Sequence, residues 1–121
     1  MAEKDGFIAV HITTKDESEA RKLANLLLEQ RKAACVNIVP KISTLYRWQG
    51  KIESGTESLM IVKTRRSLLH DIIALVKANH SYQVPEVIAL LIDGGSPDYI
   101  AWLEDELKTA SAGGELPCAS E

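Results

Sequence analysis

Hydrophobic residues recur along this chain with two different periods, which predict strands and helices in turn. In 7–13 (FIAVHIT) the branched aliphatic side chains at even positions point to one side, and His11 with its odd-numbered neighbours points to the other. Apolar runs at 33–40 (AACVNIVP) and 87–93 (VIALLID) have the length of strands. Pro40 closes the first run, because proline cannot fill an interior position of a sheet ladder. These three segments are predicted to be strands.

Three other segments show apolar residues at helical spacing. The first begins at Asp16, which is followed three residues later by Glu19 as in a capping box, and it extends to about Arg31. The second helix is predicted over 67–79. The third begins at the Ser-Pro-Asp sequence of 96–98, because a hydroxyl cap, an early proline and an acid in the first turn all favour a helix start.

A long hairpin is predicted in the middle of the chain. Residues 42–48 form its first strand, the Gln-Gly pair 49–50 forms a tight turn, and 51–64 form the returning strand. The Ser-Gly pair 54–55 predicts a break in the returning strand. With 33–40 and 42–48 counted together as one element on either side of Pro40, the full order is β-α-β-β-α-β followed by a terminal helix.

This order predicts an α+β fold of the ferredoxin-like type, with the helices on one face of an antiparallel sheet. Residues 1–109 are predicted to form one domain, and the small, polar residues 110–121 are predicted to form a flexible C-terminal tail.

The opposite face of the sheet is predicted to be apolar as well. In 59–62 and 87–92 the side chains of both faces are hydrophobic, whereas a sheet face in water is normally polar. Such a face needs a cover from outside the chain, and a second copy is the simplest one. Tyr46 and Trp48 then become buried interface anchors on the hairpin. The alternative is that they pack on their own sheet.

Composition excludes several other classes of protein. The chain has 17 acidic and 14 basic side chains and only 5% aromatic residues, which disfavours a nucleic-acid partner. No window is apolar enough for a membrane span, and no leader sequence is evident. Cys35 and Cys118 are too few for a disulfide framework, so a reducing, cytoplasmic location is predicted. Cys118 is predicted to be exposed and able to bind copper adventitiously.

An ordered set of motifs runs through the chain, namely AACVNIVP, LYRWQGKIE, Glu57, MIVKT, HSYQVPEVIAL and DYIAWL. With these motifs the segment 7–107 resembles the CutA family of divalent-cation tolerance proteins. The resemblance implies a compact ferredoxin-like homotrimer with an extended β-hairpin arm, packed around a three-fold axis as in the PII signalling proteins. It also implies a role in the response to metal ions.

The resemblance also implies a candidate copper site. Some family members bind copper through a thiol in the first strand and a His-His pair before a Tyr-x-x-Pro motif. These positions fall on Ile12 and on Asn79-His80, so only His80 keeps a ligand. As an exposed neutral imidazole, His80 is predicted to bind copper or another divalent cation. The alternative is an ordinary solvated histidine.

The resemblance to the PII architecture implies a second candidate site, a cleft between subunits that takes a small anionic ligand. Lys63 is predicted to be the basic member of this cleft, together with Glu57, Tyr82 and Glu86. The segment KTRRS, 63–67, joins a strand to a helix N-terminus, where backbone amides favour an anion. The alternative is that Lys63 and Glu57 form an ion pair between subunits and that the arginines are solvated.

Motifs of enzymes are absent from the sequence. It contains no nucleophile elbow, no Gly-rich phosphate loop, no HExxH and no CxxC. Together with the resemblance to the CutA family, this predicts a non-enzymatic trimer of the CutA type that responds to divalent cations. A PII-like sensor of small ligands and a structural trimeric scaffold are the alternatives.

Overall fold

The computed structural model describes residues 5–108. The elements follow the predicted order, β1 (Phe7–Thr14), α1 (Glu17–Glu29), β2 (Cys35–Trp48), β3 (Lys51–Arg65), α2 (Leu69–Asn79), β4 (Val87–Leu91) and α3 (Pro97–Lys108). A short 3-10 turn, Arg66–Leu68, precedes α2. The predicted tail, 110–121, lies outside the described residues.

The four strands form one antiparallel sheet in the order β2-β3-β1-β4. The strands β1 and β2 are parallel to each other with β3 between them, which is the split βαβ arrangement. The predicted α+β class with an antiparallel sheet is confirmed.

The main core lies between one face of this sheet, here called the first face, and helices α1 and α2. The side chains of Ile8, Val10 and Ile12 on β1 are buried there, as the alternation predicted. They meet Met60 and Val62 of β3, and the helices contribute Leu23, Leu27, Ile72 and Val76. Burial of aliphatic side chains at about 1.5–3 kcal/mol each is the main stabilising contribution of this layer.

β2 is one continuous strand with an extra residue, rather than two strands separated by Pro40. Val39 pairs with Leu59, but Ile42 pairs with Glu57, so β2 contains one residue more than β3 between these pairs. Lys41 takes up this β-bulge with a φ of 60°. Pro40 is tolerated because β2 is an edge strand, whose outer side needs no amide donor.

The bulge changes which side chains point to each face of the hairpin. Before it, the odd-numbered residues of β2 share the second face of the sheet, opposite α1 and α2; after it, the even-numbered residues do. Tyr46 and Trp48 therefore point to the second face, and their predicted common orientation is confirmed.

The hairpin beyond the bulge, residues 42–57, is here called the arm. The predicted break at 54–55 is wrong, because Gly55 pairs with Thr44 within an uninterrupted β3. At the tip, Gln49 and Gly50 have φ values of 49° and 79°, the left-handed pair that a tight two-residue hairpin turn requires. The side chains of Tyr46 and Trp48 are 48% and 58% exposed in the single chain.

Helix α3 differs from the prediction that all helices lie on one face. Lys63 of the second face lies with its ammonium nitrogen 5.7 Å from the centroid of the Tyr99 ring, and Phe7 of the same face lines a groove with Ile100. Leu103 and Leu107 are buried, but outside the main core cluster. Because α1 and α2 already fill the first face, the apolar stripe of α3 packs on one end of the second.

The rest of the second face remains open in the single chain. Ile88 and Leu90 of β4 are 52% and 46% exposed, and Val39 of β2 is 40% exposed. Strand β4 ends at Leu91, two residues earlier than predicted. Within residues 5–108, no helix is long and apolar enough to cross a membrane.

Candidate functional site

The loop of residues 80–86, between α2 and β4, carries three of the predicted site residues, His80, Tyr82 and Glu86. Its first three residues contact three different elements at the end of the sheet from which the arm extends. His80 meets β1, Ser81 meets α1, and Tyr82 meets β3. These three contacts define the candidate site, here called the latch.

His80 lies inside the protein, and the prediction that it is exposed is wrong. Its side chain is 0% exposed. The Nε2 atom lies 2.8 Å from the carbonyl oxygen of Thr13, and the Nδ1 atom accepts a hydrogen bond of 3.0 Å from the backbone amide of Tyr82. A carbonyl oxygen can only accept, so Nε2 carries the proton. Neither ring nitrogen has a free lone pair for a metal in this arrangement.

Glu19 is the acidic centre of the latch. Its carboxylate accepts hydrogen bonds from the Lys15 amide (3.1 Å), the Ser81 amide (2.7 Å) and the Ser81 hydroxyl (3.0 Å). Burial opposes ionisation, but these donors outweigh it and lower the pKa of Glu19 below its usual value. The Asp16 carboxylate caps α1 through the Glu19 amide at 2.9 Å, as predicted. The contact between Glu19 and Ser81 was not predicted, because 62 residues separate the two.

Tyr82 and Glu57, two of the predicted cleft residues, are in direct contact. The Tyr82 hydroxyl donates a hydrogen bond of 2.8 Å to the Glu57 carboxylate at the base of the arm. The His80 ring supports the Tyr82 ring at a centroid distance of 4.8 Å. Burial, followed by this contact with Glu57, raises the pKa of Tyr82 well above its ordinary value.

Lys63, the basic member of the predicted cleft, lies apart from this pair within one chain. Lys63 is six positions from Glu57 on the same face of β3, a separation of about 20 Å along an extended strand. It lies opposite Cys35 and Ala9 instead. Glu86 is exposed just before β4. A cleft that combines all four residues would therefore require more than one subunit.

The donors of the KTRRS segment already meet an anionic group of the same chain. The Asp5 carboxylate accepts hydrogen bonds from the Ser67 amide (2.9 Å), the Ser67 hydroxyl (2.7 Å) and Arg65 (3.2 Å). Burial of Asp5 opposes ionisation of its carboxyl, but the Ser67 hydrogen bonds and the Arg65 charge together lower the pKa of Asp5. The geometry that favours an anion at this helix start is present, and Asp5 supplies the anion.

Within residues 5–108, no group of three or more His, Cys, Asp or Glu side chains is arranged to hold a metal ion. Cys35 is a free thiol of intermediate exposure, next to Lys63 across the ladder. Cys118 lies outside the described residues.

Comparison with known proteins identifies relatives along almost the whole described chain. The profile of the family described as CutA1 divalent ion tolerance protein matches residues 8–106. Protein CutA, chloroplastic, from Arabidopsis thaliana is 48% identical over 101 residues, covering 84% of this chain and 56% of that protein. The Divalent-cation tolerance protein CutA of Thermus thermophilus is 45% identical over 96 residues, covering 79% of this chain and 93% of the relative.

Solved structures of similar proteins share the fold. CutA1 from Oryza sativa superimposes with a TM-score of 0.80 at 46% identity, over 83% of this chain and 92% of the other. The periplasmic divalent cation tolerance protein CutA from Archaeoglobus fulgidus gives a TM-score of 0.82 at 38% identity, over 84% and 99% of the two chains.

These comparisons set limits on length and location. The chain spans just over half the length of the plant relatives, 56% and 57% for Arabidopsis and rice. Since relatives include chloroplastic and periplasmic proteins, the cytoplasmic location stays a prediction. The match over residues 8–106 nevertheless covers most of the chain, and this protein belongs to the CutA1 divalent ion tolerance family.

Proposed function

We propose that this protein acts in the response to divalent cations as a homotrimer, and that it works by binding rather than by catalysing a reaction. Membership of the CutA1 family supports the link to divalent cations. The observation that carries the trimer is the apolar surface formed by the open part of the second face and the arm.

This surface has the chemistry of an interface between copies of the chain. Ile88 and Leu90 of the second face are about half exposed, and the arm continues that face with Tyr46 and Trp48. On the opposite side of the arm, Leu45 and Ile52 are each 71% exposed. Large exposed apolar patches mark association surfaces. Tyr46 and Trp48 supply the aromatic anchors that dominate many interfaces. The family resemblance implies that three copies share this surface around an axis, as in the PII proteins.

Copper binding at the family's known positions does not fit this chain. Ile12, at the thiol position, is fully buried in the core and has no donor atom. The Asn79 side chain donates to the Leu75 carbonyl at 2.8 Å, and both nitrogens of His80 have hydrogen-bond partners. The proposed role in cation response therefore does not depend on copper, or another divalent cation, bound at His80.

The assembly is tested by native mass spectrometry over a range of protein concentrations. The full chain should appear as a trimer. For Trp48→Ala, the protein concentration at which half of the chains are monomeric should be about tenfold higher than for wild type. Val84→Ala is the matched control, because Val84 is 83% exposed and lies outside the arm. A wild-type chain that stays monomeric at tens of micromolar, by the usual affinity scale, would overturn the trimer.

The cellular role is tested by growth of a bacterial host that lacks its own CutA protein. Expression of this chain should restore growth in graded copper(II), and Trp48→Ala should restore it less. Unchanged sensitivity with correctly assembled wild-type protein would contradict the proposed role. If a variant that fails to assemble restored growth as well as wild type, tolerance of copper would not depend on the trimer.

The contact between Tyr82 and Glu57 favours a second candidate, a sensor that binds a small anion in a cleft between subunits. This contact places a phenol and a carboxylate at the base of the arm. Lys63 would have to reach them from a neighbouring subunit. A thermal-shift screen with phosphate, nucleotides and carboxylic acids tests this candidate, because a ligand of the folded state raises Tm. Lys63→Ala should abolish such a shift, and Lys22→Ala should retain it.

A further inference from the structure

We infer that His80 is not a metal ligand in this chain but a positioning residue, which holds the loop of residues 80–86 so that Tyr82 remains on Glu57. The inference concerns contacts within one chain, so it holds with or without the trimer. It assigns a role to a residue that sequence resemblance alone marks as a metal ligand.

Both nitrogens of His80 are committed to backbone groups. A metal bound at Nδ1 would displace the Tyr82 amide, which contacts Nδ1 at 3.0 Å. A metal bound at Nε2 would replace the ring proton that the Thr13 carbonyl accepts, 2.8 Å away. Since the side chain is 0% exposed, either change would leave a buried backbone group without its partner.

The neighbouring residue strengthens the restraint. Ser81 donates to the Glu19 carboxylate from both its amide and its hydroxyl, at 2.7 and 3.0 Å. The Glu19 oxygen nearest to His80 lies 3.7 Å from Nδ1, too far for a hydrogen bond. Glu19 therefore holds Ser81, and His80 holds Thr13 and Tyr82.

The result is a fixed position for the Tyr82 ring. Its amide is bound to the His80 side chain, and its ring contacts the His80 ring at 4.8 Å. The hydroxyl at the far end of the ring then reaches Glu57 on β3 at 2.8 Å. His80 thus acts on the base of the arm through Tyr82, without touching Glu57 itself.

Two substitutions of His80 separate its two hydrogen bonds. In His80→Asn, the amide oxygen can still accept from the Tyr82 amide two residues later, as in an Asx turn, but the bond to Thr13 is lost. In His80→Ala, both bonds are lost. His70→Ala is the control, because His70 is exposed on α2.

Tyrosine NMR with labelled ring carbons reports whether the position of Tyr82 depends on His80. In wild type, the Tyr82 hydroxyl should stay protonated above the pH range in which tyrosine ordinarily ionises, because burial, followed by contact with Glu57, raises the pKa of Tyr82. His80→Ala should lower the pKa of Tyr82 towards the ordinary tyrosine value, and His80→Asn should give an intermediate result. If His80→Ala fails to fold, His80→Asn supplies the comparison. An unchanged Tyr82 titration in the folded variants would overturn the positioning role.

Copper(II) titration tests the other half of the inference. The full chain carrying Cys118→Ser should bind copper(II) with the same affinity, within about twofold, as the chain that also carries His80→Asn. Electron paramagnetic resonance should show no histidine nitrogen signal that depends on His80. One tightly bound copper per chain, lost only with His80, would overturn the inference.

Discussion

Strands β2 and β3 pass through two regions that differ in burial, although both regions are rich in residues that favour strands. In the body of the sheet, every second residue of β3 from Ser58 to Thr64 is buried beneath helices α1 and α2. In the arm, all residues from 51 to 56 are exposed, Ile52 among them. The difference arises because the helices reach only the body. Alternating apolar residues thus identify a strand, but they do not identify what covers it.

The strongest test of this comparison uses two isoleucines and one substitution. Ile12→Ala, in the body, should lower the free energy of unfolding by about 3 kcal/mol, because it removes buried methylene groups and leaves a cavity. Ile52→Ala, in the arm, should change it by less than about 0.5 kcal/mol in dilute solution. Urea denaturation measures both.

Protein concentration then distinguishes an arm covered by a second copy from an arm that is always exposed. If copies cover the arm, the cost of Ile52→Ala should increase with concentration, because assembly stabilises the folded state by mass action. Equal costs for Ile12→Ala and Ile52→Ala at every concentration would mean that the arm is packed within its own chain.

Substitution of Glu19 measures how much the hydrogen bonds of the latch contribute to the free energy of unfolding. Glu19→Gln should cost about 2 kcal/mol at pH 7, because three donors lose a charged acceptor. Glu17→Gln is the control, because its ion pair with Arg21 is on the surface and should cost less than about 0.5 kcal/mol.

The same variant has a predicted pH dependence. Folding lowers the pKa of Glu19, so its ionised form stabilises the fold above the ordinary value of 4.5. This contribution is lost as pH falls through the lower pKa of the folded state. Wild type should therefore lose stability below pH 4.5 more steeply than Glu19→Gln. Parallel acid curves for the two proteins would show that Glu19 makes no such contribution.

Tyr82→Phe tests the connection between the latch and the arm. Removal of the hydroxyl should cost about 1.5 kcal/mol, because Glu57 loses a partly buried donor. Tyr46→Phe in dilute protein should be nearly neutral, since Tyr46 is about half exposed. Hydrogen exchange at the base of the arm should be faster in Tyr82→Phe, and identical protection in the two variants would argue against the connection.

The smallest effect is expected at the tip of the arm. Gly50 has a φ of 79°, and a Cβ there has open space around it. Gly50→Ala should therefore cost about 1 kcal/mol from backbone strain alone. Gln49→Gly should stabilise the turn by a few tenths of a kcal/mol or leave it unchanged, because Gln49 also has a positive φ. Thermal denaturation compares the two, and a stabilised Gly50→Ala would show that the turn can adopt another form.

The sequence predicted the elements that depend on local patterns. The alternation around Ile12, the cap at Asp16 and the turn at Gln49-Gly50 each depend on residues close together in the chain, and the structure has all three. The order of the elements then followed from counting strands and helices.

The sequence did not predict features that depend on distant residues. His80 is buried against the Thr13 carbonyl, and Glu19 accepts a hydrogen bond from the Ser81 amide. Because the partners in these contacts are 67 and 62 residues apart, neither contact leaves a periodic pattern in the sequence. The position of α3 depended on which sheet face was already covered. Proline by itself predicts the end of a strand, whereas the continuation of β2 past Pro40 depends on its edge position and on the bulge, which no local pattern shows.

The bulge at Lys41 also bears on how this surface can change in evolution. Two residues of β2, Pro40 and Lys41, lie opposite the single residue Ser58 of β3, so the loss of either one would leave a regular strand. Tyr46 and Trp48 would still lie opposite Glu53 and Lys51 and would still point to the second face, because side chains alternate along a strand. The extra residue therefore lets β2 lose one codon at the bulge without exchanging its aromatic contact surface for the side of the arm that carries Leu45 and Arg47.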